Sequence, residues 1–162
     1  MILGYYLDDY INCGLKIPLT ITLQKKISNI LIAGKSGSGK SQSTRWYIWN
    51  MIHTGESIVY IADYKGGEEY EAFEGVPSYA SGESAIQMIE DFYELFTFVR
   101  NNRVRLKKHY TLVIEEWFGL LVYAETQSKK LKSELMQKIG ELLSVSRGLN
   151  MGLIICVQRA DA

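Results

Sequence analysis

Eight residues, Gly34-Lys35-Ser36-Gly37-Ser38-Gly39-Lys40-Ser41, fit the pattern G-x-x-x-x-G-K-[ST] at every specified position. That spacing suits one task, the grip of a polyphosphate. Glycines at 34, 37 and 39 free the backbone to turn its N–H groups inward, forming a concave nest for anions. A helix beginning directly after the loop adds the partial positive charge of its N-terminus. The pattern assigns Gly34 through Ser41, with Gln42 at the head of the helix, to nucleotide binding. Lys40 is expected to reach the β- and γ-phosphates, and the Ser41 hydroxyl to ligate Mg²⁺. An accidental Gly/Ser loop is the competing explanation. At a glycine usage of about 7%, the four fixed positions should coincide in well under about one chain in a hundred. The expected ligand is a nucleoside triphosphate.

A second candidate is Glu115-Glu116, placed directly after the apolar run Tyr110-Thr-Leu-Val-Ile114. An acid pair at a strand end reads as a Walker B element, in which one carboxylate faces the metal and its neighbour activates water. Glu115 is assigned to the metal and Glu116 to the base; a solvated acidic pair is the plainer alternative. Gln158 ends another apolar run, and its amide can donate to a phosphate and accept from water. Asp63 and Lys65 either couple the nucleotide to a neighbouring subunit or shape a turn. Arg147 closes a helical stretch, where it acts as a dipole partner or supplies charge to a transferring phosphoryl group, in cis or across a subunit boundary. The basic run Arg100, Arg103, Arg105, Lys107, Lys108 is either a solvated helix end or a track for a DNA backbone.

These residues need elements to carry them. Asn29–Ala33, Ser57–Ala62, Tyr110–Ile114 and Met151–Val157 read as buried strands, and Leu15–Leu23 alternates like a half-buried one whose Pro18 favours a sheet edge. Gln24–Ser28 should turn into the loop strand. Helices are expected over Gln42–His53, over Glu68–Phe73 as a short one, from Gly82 with Ser81 as its cap, and over Thr126–Ser146. Within the third, Ala85, Ile89, Phe92, Phe96 and Val99 form one apolar stripe. Leu131, Leu135, Ile139, Leu142 and Leu143 form another. Val76–Ala80 is a short extended piece, and Trp117–Tyr123 is apolar without a decided period. Gly148 and Asn150 are suited to the left-handed backbone of a helix stop. Strands alternating with helices imply an α/β sheet covered on both faces. The phosphate loop, Asp63, Glu115-Glu116 and Gln158 all fall just past the carboxyl end of a strand, where such sheets bind ligands.

Composition adds bounds. At 162 residues and 47% hydrophobic content, the chain supports one globular core. Lys plus Arg and Asp plus Glu are 18 each, so bulk charge selects no partner. Cys13 and Cys156 are not expected to pair, since Cys156 lies in an apolar strand, and this suits a reducing cytosol. No run reaches transmembrane length, and residues 1–14 lack a signal-peptide layout. The expectation is a soluble, cytoplasmic chain, with 1–14 as an N-terminal extension and 15–162 as the phosphate-loop domain.

Taken together, Leu31–Ser41, Ala62-Asp-Tyr-Lys-Gly-Gly-Glu68, Leu112–Glu116 and Arg147 through Gln158-Arg159 resemble the FtsK/SpoIIIE family of DNA translocases, nearest to the coupling-type ATPases of conjugative elements. The Asp-x-Lys-Gly-Gly after the second strand and the Arg…Gln-Arg block are its more specific parts. The resemblance implies a RecA-like P-loop NTPase core that hydrolyses Mg-ATP, assembles as a homo-hexamer and moves double-stranded DNA in conjugative transfer or partition. It also implies a membrane-anchored parent at the inner face of the cell membrane, or a transfer or secretion machinery around the motor. Lys40, Glu116, Gln158 and Arg147 are the implied catalytic set. Tyr64, Glu115, Asn150 and Ala160 stand where the family usually has Pro, Asp, Gly and Pro. The family continues beyond the position of Ala162, which implies a trimmed piece or a short relative. Three other readings compete: a protein-moving motor of the same family, as in type VII-like secretion; a small-molecule kinase, which the adjacent acids and Gln158 disfavour; and a nucleotide-binding regulator without turnover.

Overall fold

Strand residues of this chain alternate between two apolar faces, so one sheet is covered twice. The computed structural model describes residues 2–20 and 29–158. β1 (Ile2–Tyr5) and β2 (Pro18–Thr20) form an antiparallel pair joined through α1 (Leu7–Cys13). The main unit follows in the order β3 (Ile30–Ala33), α2 (Lys40–His53), β4 (Ser57–Asp63), β5 (Tyr79–Ser81), α3 (Ala85–Asn101), β6 (His109–Glu115), α4 (Trp117–Gln127), α5 (Lys129–Val145) and β7 (Met151–Val157). Its five strands are all parallel, in the spatial order β3-β7-β6-β4-β5.

Leu112, Ile114, Leu153, Ile155 and Val157 pack with α3, α4 and α5 on one face, while Val113, Ile154 and Cys156 meet Ile48 and Met51 of α2 on the other. The α/β, doubly covered sheet expected from the sequence is therefore the fold. Ala85, Ile89, Phe92, Phe96 and Val99 are all buried, with Met88 added to the stripe. Each such large side chain contributes about 1.5–3 kcal/mol on burial. That outweighs the roughly 1 kcal/mol of an N-cap, and α3 indeed begins without a side-chain cap. Ser81 is not the cap of α3: a single 3-10 turn, Gly82–Ser84, intervenes.

Other expectations are corrected by packing. The single helix expected over Thr126–Ser146 is two, because Ser128 is extended and its hydroxyl accepts from the Leu131 N–H over 3.0 Å, starting α5 afresh. The break lets Trp117, Leu120, Leu121 and Ala124 of α4 face the same core as Leu135, Ile139 and Leu142 of α5; Leu143, expected among these, is 42% exposed. Strand β3 is only half buried, with Leu31 61% exposed, since among the described residues it pairs on one side only. Pro18–Thr20 is exposed instead of half-buried; the rest of the expected strand, to Leu23, and the Gln24–Ser28 turn lie outside the described residues. Of the two residues suited to a helix stop, Asn150 adopts the left-handed backbone (φ 59°) and Gly148 does not. Among the described residues, no helix is long and apolar enough to cross a membrane.

Candidate nucleotide-binding and hydrolysis site

The phosphate loop leaves β3 and returns directly into α2. Its first residue is tied to the neighbouring strand, the Gly34 N–H donating to the Val157 carbonyl over 3.2 Å. Gly37 and Gly39 have φ of +76° and +85°, a backbone region that glycine enters at little cost. Gly39 caps α2 with no side-chain bond, so the first N–H groups of the helix stay available to an anion. The Lys40 ammonium donates to the Lys35 carbonyl over 3.0 Å, folded across its own loop.

Ser36, Gly37, Gly39, Lys40, Ser41 and Gln42 form one wall of a cavity of about 890 Å³, which Glu115, Glu116 and Gln158 close from the other side. Gly34, Lys35 and Ser38 belong to the loop without lining the cavity. Strand order accounts for this convergence: β7 lies between β3 and β6, so their carboxyl ends meet at one edge. Glu116 caps α4 in the left-handed region (φ 56°, ψ 50°), a conformation that costs a non-glycine residue on the order of 1–3 kcal/mol. Its Oε2 accepts from the Gln158 amide over 3.1 Å. Gly119, one turn into α4, makes room: a Cβ there would meet Glu116 at 3.1 Å and the Tyr64 ring at 3.2 Å. Tyr64 in turn packs on Tyr123, with ring centroids 5.7 Å apart, as part of the cavity wall.

Glu115 is more deeply set. It is 5% exposed, and its Oε1 accepts from the Tyr70 hydroxyl over 2.5 Å. Burial pushes its carboxyl above the usual range; the Tyr70, Cys156 and Thr44 groups facing it oppose this, and neighbouring Asp63 adds to it. Asp63 is likewise raised by burial, against hydrogen bonds from the backbone at Lys65, Gly66 and Gly67 and from Tyr79. Asp63 thus shapes the turn after β4, and Lys65 stands on the cavity wall paired with Glu69 at 3.3 Å. Among the described residues, no cluster of three or more His, Cys, Asp or Glu side chains is arranged to cage a metal. A hydroxyl and a carboxylate on one cavity instead suit Mg²⁺, which takes one or two protein oxygens alongside phosphate and water.

Two sequence candidates stay apart from this edge. Arg147 is exposed and lies in a 3-10 helix, Ser146–Leu149, just before β7. It therefore sits at the amino end of a seven-residue strand whose carboxyl end meets the cavity, roughly 20 Å away at about 3.3 Å per residue. A role in cis is excluded by this geometry. The basic run divides: Arg100 pairs with Glu141 and lies 5.2 Å over the Phe96 ring, whereas Arg103, Arg105, Lys107 and Lys108 are exposed on the α3–β6 connection, at the same far edge.

The model of the FtsK/SpoIIIE family matches residues 12–116, more than half of the chain. The chain belongs to the FtsK/SpoIIIE family. No curated protein matches it. Among solved structures, it is similar to the conjugation coupling protein TcpA of pCW3, solved as a monomer with ATPγS, at 24% identity and a TM-score of 0.65, over 98% of this chain and 52% of that one. It is also similar to the cytoplasmic domain of the type VII secretion ATPase EccC of Thermomonospora curvata, at 18% identity and a TM-score of 0.69, over 99% of this chain and 21% of that one. The chain thus spans about half of TcpA and a fifth of the EccC domain. At these identities the likeness establishes the RecA-like P-loop fold.

Within this FtsK/SpoIIIE domain, the loop, the acid pair and Gln158 were legible as strand-end residues. Tyr70, Thr44, Cys156, Tyr64 and Tyr123 were not singled out for the site. Each is an ordinary core or surface type by composition, and only the folded chain brings its polar or aromatic group to the cavity or to Glu115.

Proposed function

We propose that this domain hydrolyses Mg-ATP as the motor core of a DNA translocase. The observation carrying the proposal is the meeting of Lys40 and Ser41 with Glu115, Glu116 and Gln158 around one cavity. The loop amides and Lys40 bind the β- and γ-phosphates. Ser41 and Glu115 would hold Mg²⁺, which when bound screens the phosphate charge. Glu116 accepts a proton from the attacking water, Gln158 orients that carboxylate, and the Gln158 amide would donate to the γ-phosphate when the nucleotide is bound. Arg147 acts across a subunit boundary, consistent with its exposure at the far edge, in a homo-hexamer of the whole protein. The exposed cations at 103, 105, 107 and 108 track the phosphates of double-stranded DNA. Membership of the FtsK/SpoIIIE family and the fold shared with TcpA support DNA as cargo.

The fold shared with EccC supports a second reading, a motor that moves protein in a type VII-like system. ATPase activity measured with and without duplex DNA separates the two. Stimulation by DNA is expected; hydrolysis indifferent to DNA favours the protein-moving motor, and absence of hydrolysis at high protein concentration rejects both.

A further inference from the structure

Two buried carboxylates lie side by side at the carboxyl edge of the sheet: Asp63 ends β4, Glu115 ends β6, and they are register partners. Each accepts a phenolic hydrogen bond. Tyr70 Oη donates to Glu115 Oε1 over 2.5 Å, and Tyr79 Oη to Asp63 Oδ2 over 3.2 Å. The two rings stack at 6.4 Å and 20°, with Phe73 against both. Tyr70 is 2% exposed, and it arrives on the 3-10 helix Glu68–Phe73 rather than on the sheet. Glutamate has three rotatable side-chain bonds, so a carboxylate at a strand end keeps one direction only if something grips it. A short O–H···O⁻ bond is among the stronger grips available in a protein. Its effect extends to the phenol, which burial and the adjacent Glu115 charge push far above the ordinary tyrosine range, keeping it a donor.

We infer that Tyr70 is a positioning residue for the metal-facing acid. Its hydroxyl pins Oε1 of Glu115, and so fixes how the carboxylate meets the cavity that Ser41 also lines. The inference rests on the reading of Glu115 as the acid that faces Mg²⁺. Outer partners of this kind set ligand orientation, and losing one weakens metal binding by about 10–100-fold. The ring itself packs with Phe73 and Tyr79, so removal of the hydroxyl alone separates pinning from packing.

The test uses the full chain with Tyr70→Phe, Glu115→Gln, Glu115→Asp and the Tyr70→Phe/Glu115→Asp double variant. Two quantities are read: affinity for a fluorescent ATP analogue in EDTA, and affinity of the nucleotide-loaded protein for Mn²⁺ by electron paramagnetic resonance. Tyr70→Phe should leave the first unchanged and weaken the second by about 10-fold or more. In the Asp background, whose shorter side chain withdraws from the phenol, Tyr70→Phe should change neither. Mn²⁺ affinity unaltered by Tyr70→Phe but lowered by Glu115→Gln overturns the inference and leaves the reading of Glu115 standing. Mn²⁺ affinity unaltered by Glu115→Gln overturns that reading itself. Loss of metal-free nucleotide affinity in Tyr70→Phe, or equal losses in the Glu and Asp backgrounds, would mean the hydroxyl serves packing only.

Discussion

The Gln158 amide donates to the Glu116 carboxylate over 3.1 Å, linking the residues just past the ends of two neighbouring parallel strands, β6 and β7. Glu116 is held there by a left-handed backbone and by the bare Cα of Gly119. One oxygen of the carboxylate is thereby occupied, and the group remains at the cavity wall facing the phosphate loop. Under the proposed function, such an arrangement holds the base in place before substrate arrives, which reduces the reorganisation needed during reaction.

Glu116→Gln removes the proton acceptor while keeping shape. Nucleotide binding should survive, and turnover should fall by about 10²–10⁴-fold, the usual contribution of general base catalysis. Filter binding with radiolabelled ATP and phosphate release measured on one preparation check both halves. Normal turnover would remove Glu116 from the role of base.

Lys40→Ala deletes the one long cation on the loop side of the cavity among its described lining residues. A charge-assisted hydrogen bond is worth about 1.5–3 kcal/mol, so ATP affinity should fall by roughly 10–100-fold. Titration of a fluorescent ATP analogue provides the measure, and an unchanged affinity would contradict the phosphate-binding assignment.

Because Arg147 cannot reach its own cavity, its effect must appear only between copies. Arg147→Ala and Glu116→Gln proteins, each inactive alone, should recover part of the ATPase rate when mixed as an oligomer. Where the site of an Arg147→Ala copy receives the arginine of a Glu116→Gln copy, base and arginine are both intact. At a mixed boundary of the opposite orientation neither is, so recovery is partial. A mixture no faster than its components would leave Arg147 as a helix-end residue.

His109 offers a stability test remote from the site. It is wholly buried between Ser57 and Thr111, with no partner for Nε2 among the described residues, and burial holds its pKa down at about 4. The unfolded chain binds this proton near the ordinary value of 6.5. Stability is therefore fully present above that value and is lost as pH falls toward about 4. At about pH 5 the loss should be roughly 2 kcal/mol, or about 4–8 °C in melting temperature. Asp63 and Glu115 titrate in the opposite sense, since burial raises both. Comparison of wild type with His109→Gln between about pH 7 and 5 isolates the histidine: a shallower slope in the variant is expected, and identical slopes would reject the effect.

Much of this protein was written in its one-dimensional pattern. The phosphate loop needs only glycines at fixed offsets between a strand and a helix, and every one of those requirements is local. Strand-end acids and Gln158 were readable for the same reason, because apolar runs mark where a strand stops. The sequence could not order the strands, and order decides that β7 separates β3 from β6, so that Lys40, Glu116 and Gln158 share a cavity while Arg147 lies at the opposite edge. Nor could it reveal Tyr70 under Glu115, since a tyrosine 45 residues upstream carries no local sign of its partner. Local backbone chemistry is set by neighbours in the chain, whereas a buried hydrogen bond between distant side chains exists only once packing has excluded water from both.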